Sequence, residues 1–156
     1  MKKNKKKDYI KIGILGGTFD PPHKGHFYIS KIVLKKLKLN KILWIVTKKN
    51  PLKQKPYLTT KKRIELSKKI TIKEKKIFVR YVDNKIKSNN TFDLLNYMKK
   101  KNPKTKLYFL IGADNLAKFH KWSRWRKYQN LHELLYFQER IILVIRLPQI
   151  ILINRT

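Results

Sequence analysis

Alternating strand and helix signals along this 156-residue chain predict an α/β fold: a doubly wound, mostly parallel five-stranded sheet with helices on both faces. Three observations carry the prediction. Short β-branched runs recur along the chain. Apolar residues at helical spacing fill the intervals between them, and glycine or polar clusters close the runs.

The first strand is Ile10-Lys11-Ile12-Gly13-Ile14-Leu15, ended by Gly16-Gly17, and Ile29, Ile32, Val33 and Leu37 then recur at helical spacing. Residues 41–47 (Lys-Ile-Leu-Trp-Ile-Val-Thr) form a second strand, apolar through its middle as in a sheet covered on both faces. Residues 48–58 are a proline-containing loop, and Thr59 or Thr60 caps a helix running to about Ile70. A third strand is expected at 77–82, a polar loop at 83–90, and a helix over 91–101 carrying Leu94, Leu95 and Met98. Residues 107–111 are the fourth strand, a Trp-rich helical region spans roughly 115–135, and 141–145 are the fifth strand. There is no internal repeat. Residues 1–8 read as a basic tail and 9–156 as a single domain.

The chain carries 40 Lys+Arg against 9 Asp+Glu, a net charge of +31. Such a field attracts polyanions, yet the lysines are spread along the whole chain rather than gathered on one arm or face. A Lys-, Ile- and Asn-rich composition is what a biased genome imposes, so no specific nucleic-acid partner is predicted; the charge would still steer anionic nucleotides inward. The absence of cysteine fits a reducing cytoplasm. Met1 to Asp8 is followed by no apolar signal region, and the apolar stretch 134–153 is broken by charged residues and Pro148, so no membrane partner is expected.

The turn after the first strand holds the chemistry: Gly16-Gly17-Thr18-Phe19-Asp20-Pro21-Pro22-His23-Lys24-Gly25-His26. Gly16 and Gly17 let the backbone approach a ligand, and Thr18 adds a hydroxyl. His23 and His26, three apart in a first helical turn, project on one side. A helix N-terminus presents unpaired N–H groups and partial positive charge, so the whole is a phosphate cradle. A metal site is the rival reading, but only His120 and His132 could add imidazoles, and none is predicted.

Three other clusters fall just after strands, where open α/β sheets bind ligands. Lys53, in Asn50-Pro51-Leu52-Lys53, can meet a phosphate or be plain surface. In Ser88-Asn89-Asn90-Thr91-Phe92-Asp93, Asn90 and Asp93 have the spacing of a capping box, and Asp93 and Thr91 are equally open to substrate contact. After the fourth strand, Asp114 reads either as a helix cap or as a ribose or metal contact. Trp122, beside His120, either packs in the core or stacks on a heteroaromatic ring.

Residues 16–26, 50–53, 91–93 and 111–125 (Ile-Gly-Ala-Asp-Asn-Leu-Ala-Lys-Phe-His-Lys-Trp-Ser-Arg-Trp) together resemble bacterial nicotinate-nucleotide adenylyltransferases of the nucleotidylyltransferase superfamily. The resemblance covers roughly residues 9–146. It implies a Rossmann-like fold and transfer of AMP from ATP to nicotinate mononucleotide, giving deamido-NAD and pyrophosphate, with Mg²⁺ accompanying ATP. Gly16, Gly17, Thr18, His23, His26 and Asp114 would bind ATP, with His23 and His26 the catalytic pair. Lys53, Thr91, Asp93, His120 and Trp122 would line the mononucleotide site. The partners implied are these two small molecules, in the cytoplasm, and a homo-oligomer is left open. Asn90 stands where the family commonly has Tyr and Leu94 where it has Thr. Arg146-Leu147-Pro148 replaces Arg-Pro-Gly, and the family's later Ser-Thr-x-x-Arg-type segment has no counterpart before Thr156, so the C-terminal part is expected to be incomplete. The alternatives are a pantetheine-phosphate or glycerol-phosphate nucleotidylyltransferase, a basic nucleic-acid binder, or an inactive remnant.

Overall fold

The structure, a computed structural model, describes residues 9–50, 53–88, 90–112, 119–122, 124, 127, 133–138, 141–146 and 149–154. Its first strand, β1 (Ile10–Gly17), is flanked by two parallel neighbours, β2 (Lys41–Val46) and β4 (Thr105–Gly112). Beyond β2 lies β3 (Ile77–Arg80); beyond β4 lie β5 (Glu133–Gln138), β6 (Ile141–Arg146) and β7 (Gln149–Asn154). The order is β3-β2-β1-β4-β5-β6-β7. The chain therefore builds outward from β1 in one direction, returns, and builds outward in the other. Its switch point lies between β1 and β4.

Alternation along β1 sets the two layers. Ile12 and Ile14 face one side, where α4 (Thr91–Lys101) lays Leu94, Leu95 and Met98 over them; Leu43, Ile45, Phe109 and Ile111 complete this half of the core. On the other side, α1 (Lys24–Lys36) contributes Val33 and Leu34 against Ile42, Trp44, Val79 and Leu110, with Ile64 and Ile70 of α2 (Thr60–Thr71) at the margin. A short α3 (Asp83–Ile86) precedes α4. Among the described residues no helix is long and apolar enough to cross a membrane.

The doubly wound, mostly parallel architecture is as expected, and the strand count is not: among the described residues the sheet has seven strands rather than five. Residues 133–135, expected at the end of a helical region, begin β5, which pairs in parallel with the edge of β4. Of that region the structure describes otherwise a 3₁₀ turn at Phe119–Lys121 and single residues around Trp122. The expected fifth strand is β6, and it runs antiparallel to β5 because only two residues separate them, too few for a parallel crossover. The polar loop at 83–90 contains the single turn of α3, and the third strand stops at Arg80 rather than 82. Thr59 caps α2, its hydroxyl accepting from Lys62 N, and Asn90 caps α4 as the spacing required.

Gly13, in the centre of β1, is there for packing: a Cβ would stand 2.9 Å from Ile42 Cγ1 and from Leu39 Cδ1. Gly13→Ala is expected to destabilise the fold by about 1–3 kcal/mol, the usual cost of overpacking a core, as read from the urea midpoint at constant slope.

Candidate functional site

The carboxyl ends of β1, β2 and β4 lie side by side at the switch point, and the turn that carries His23 and His26 follows β1 there. β1 ends in Gly16 and Gly17, both partly exposed, and Thr47 N donates to Gly17 O at 2.9 Å, so the turns after β1 and β2 begin side by side. Phe19 takes a left-handed φ of 52°, costly for a residue with a Cβ. Its ring lies 2 % exposed and stacked on Trp44 at 5.0 Å, and this burial offsets the strain.

His23 is the N-cap of α1. Its Nδ1 accepts from Gly25 N at 3.1 Å, and His26 Nδ1 accepts in return from His23 N at 3.3 Å. The pair is a capping box built from two imidazoles, with ring centroids 3.8 Å apart. Because both Nδ1 atoms accept amide protons, each neutral ring carries its own proton on Nε2. Gly25 makes this possible. A Cβ there would lie 2.9 Å from Nδ1 and Cε1 of His23.

His26 sits against Phe19, at 4.9 Å, and the edge of Trp44, at 5.9 Å. Its carbonyl accepts from Ser30 Oγ at 2.8 Å, and that oxygen accepts from Trp44 Nε1 at 2.8 Å. Burial first, then the nearby His23 and Lys53, lower its pKa to about 4. At neutral pH His26 is thus an uncharged imidazole and a fixed N–H donor.

The loop after β2 is fastened to this turn. Arg63 of α2, 1 % exposed, donates from Nε to Leu58 O, from Nη1 to Thr18 O and Thr47 O, and from Nη2 to Lys48 O and Thr60 Oγ1. Asp20 accepts from Tyr57 N and Leu58 N, and Asp83 accepts from Lys48 N at 2.7 Å. Burial lowers the Arg63 pKa, and Asp20 and Asp83 oppose that shift. Burial raises the Asp83 pKa, opposed by the Lys48 amide and Arg63.

The expected mononucleotide residues divide. Lys53, on the fastened loop, is close enough to add to the lowering of the His26 pKa. Thr91 opens α4 and is half-buried. The Asp93 carboxylate accepts from Asn90 Nδ2 at 2.6 Å and Ser88 Oγ at 2.8 Å and pairs with Arg124 at 3.1 Å, while Asn90 N donates to Ser88 Oγ, so the reciprocal half of the capping box is not formed. Trp122 is half-buried with its edge 6.0 Å from Phe109. His120 is exposed on the 3₁₀ turn. Asp114 lies outside the described residues. The two departures from the family pattern have structural uses: Asn90 caps α4, and Leu94 is a core residue beneath Gly16.

Sequence reasoning missed Arg63, Asp83, the clamp made by Asp20, and Arg124, which bridges to Asp93 and lies over the Phe92 ring at 5.3 Å. One signal was available. Arg63 is the first arginine in a chain whose preceding basic side chains, histidines aside, are all lysines.

A cytidylyltransferase-like family model matches residues 14–153. A "probable nicotinate-nucleotide adenylyltransferase" of Pelagibacter ubique is 47% identical over 137 residues, 88% of this chain and 74% of that protein. One from a Ruegeria species is 37% identical over 115 residues, 74% of this chain and 60% of that protein. The chain thus spans about three-fifths to three-quarters of these relatives. The Plasmodium falciparum nicotinic acid mononucleotide adenylyltransferase complexed with NaAD shares the fold, with a TM-score of 0.69 at 21% identity, over 82% of this chain and 64% of that one.

Gly25→Ala should displace the His23 ring and remove the cap bond, costing about 1 kcal/mol on thermal unfolding. The His26 pKa is lowered by folding from 6.5 to about 4, so its contribution to stability is complete above about pH 6.5 and is lost as pH falls towards 4. Between pH 7 and pH 5, wild type should lose up to about 2 kcal/mol more than His26→Asn, measured by urea titration at each pH.

Proposed function

The chain belongs to the cytidylyltransferase-like family, and we propose that it transfers AMP from ATP to nicotinate mononucleotide, forming deamido-NAD and releasing pyrophosphate. The observation that carries this reading is the pair of imidazoles whose Nδ1 atoms both accept backbone amides at a helix N-terminus, beside a glycine turn on the switch point. A phosphate oxygen of the mononucleotide attacks the α-phosphorus of ATP. The new P–O bond forms as the bond to the bridging oxygen breaks, and the electron pair leaves with pyrophosphate.

Negative charge grows on the α-phosphate oxygens and the leaving group in that step. His23 and His26 are fixed N–H donors for it, and the α1 N-terminus adds its amides and dipole. Neutral His26 has no proton to give up at physiological pH beyond its hydrogen bond, so its part is alignment and electrostatics rather than acid catalysis. Lys53 supplies a mobile positive charge for the mononucleotide phosphate, and Trp122 with Thr91 forms the wall towards the pyridine ring.

Among the described residues there is no cluster of three His, Cys, Asp or Glu able to cage a metal. Mg²⁺ fits this site as a passenger of the triphosphate, where it would neutralise charge on the leaving group. The substrates and the cysteine-free composition suit a cytoplasmic setting.

The test is pyrophosphate release with ATP and nicotinate mononucleotide, run beside nicotinamide mononucleotide and phosphopantetheine. Turnover confined to the pyridine substrates supports the reading, and turnover with phosphopantetheine alone replaces it. His26→Ala should lower kcat by about 10²–10³ while the Kd for ATP changes less than about fivefold; equal losses in both would reject a transition-state role.

A further inference from the structure

We propose that Arg63 is a positioning residue that fixes the two substrate loops against each other as one body. The inference rests on the two-substrate reading above and concerns a residue that touches neither substrate. A buried guanidinium is costly unless its donors are satisfied, and here all five N–H groups are used. Their acceptors belong to three separate segments: Thr18 in the turn after β1, Thr47 and Lys48 at the end of β2, and Leu58 and Thr60 where the loop meets α2.

Two carboxylates complete the frame. Lys48 is held from both sides, its carbonyl by Arg63 and its amide by Asp83. Leu58 is held likewise, its carbonyl by Arg63 and its amide by Asp20. The chain has only nine acidic residues, and two of them are spent on amides of this one loop. Between the clamped ends lies Lys53, whose charge reaches His26. The turn that carries the imidazoles and both ends of the loop that carries the lysine are therefore held together, which serves in-line transfer between two bound phosphates. Lysine cannot replace this fork, because an ammonium has three donors and no planar spread.

Arg63→Lys and Asp20→Asn are compared with wild type by steady-state kinetics, by single-substrate binding of ATP and of nicotinate mononucleotide, and by amide hydrogen exchange. Misplacement of reacting groups by about 1 Å costs about 10²-fold, so Arg63→Lys should lower kcat by about 30–100-fold with each Kd within about fivefold. The amides of Thr47, Lys48, Tyr57 and Leu58 should exchange at least about tenfold faster while those of β2 and β4 keep wild-type rates, the signature of local rather than global loosening. Asp20→Asn, at a half-buried position outside the Arg63 contacts, should quicken exchange at 57 and 58 alone. Unchanged kcat in folded Arg63→Lys, or exchange quickened evenly through β2 and β4, would make Arg63 an ordinary core prop and overturn the proposal. If Arg63→Lys does not fold, Asp20→Asn decides: wild-type exchange at 57 and 58 rejects the frame. If wild type releases no pyrophosphate, the functional reading alone fails, and the exchange comparison still decides the role of Arg63.

Discussion

One buried cation holds the working edge of this sheet together. The Arg63 guanidinium is closed off from water, and a charge in that position is tolerable only because every donor finds an oxygen and two carboxylates stand near. Four of those oxygens are backbone carbonyls at the carboxyl end of the sheet or in the loop beyond it. Backbone groups leaving a strand lose their ladder partners and must find others. Arg63 supplies them for two strands at once, and so joins turns that the sheet itself leaves free.

The imidazole pair obeys a complementary logic. In a chain with a net charge of +31, another positive charge adds little that the surface field does not already provide. Directed donors are scarcer. Folding His26 against Phe19 and Trp44 keeps it neutral, and the reciprocal caps turn both Nε2–H groups away from the helix. Gly25 is what lets His23 fold over the helix end. The cradle is thus a packing result as much as a motif.

The switch point ties both features to one place. Because β4 returns to the far side of β1, the chain leaves these neighbouring strands in opposite directions, the arrangement at which open α/β sheets bind ligands. The glycine turn with its imidazoles stands there. Arg124 is tied to α4 by its pair with Asp93. The strands β5 to β7 extend the sheet beyond β4, away from β1.

The sequence by itself determined whatever depends on neighbours a few residues apart. The Thr59 and Asn90 caps, the helix over 91–101, the strands read at 10–15 and 41–47, which the structure ends at Gly17 and Val46, and the strand–turn–helix unit at 10–36 were legible because period and capping are local. The outer strands were less so. Glu133 to Gln138 follows a Trp-rich stretch with no clear strand start, and only pairing with β4 makes it β5. In the sequence Arg63 is one more cation on a lysine-rich helix. Its acceptors at Thr18, Thr47 and Lys48 lie 45, 16 and 15 residues away, and its burial depends on three turns meeting over α2. Residue types and spacing named the cradle at 16–26. Only the tertiary structure decided what holds it still, because the partners that do so are distant in sequence and meet only when the sheet closes around them.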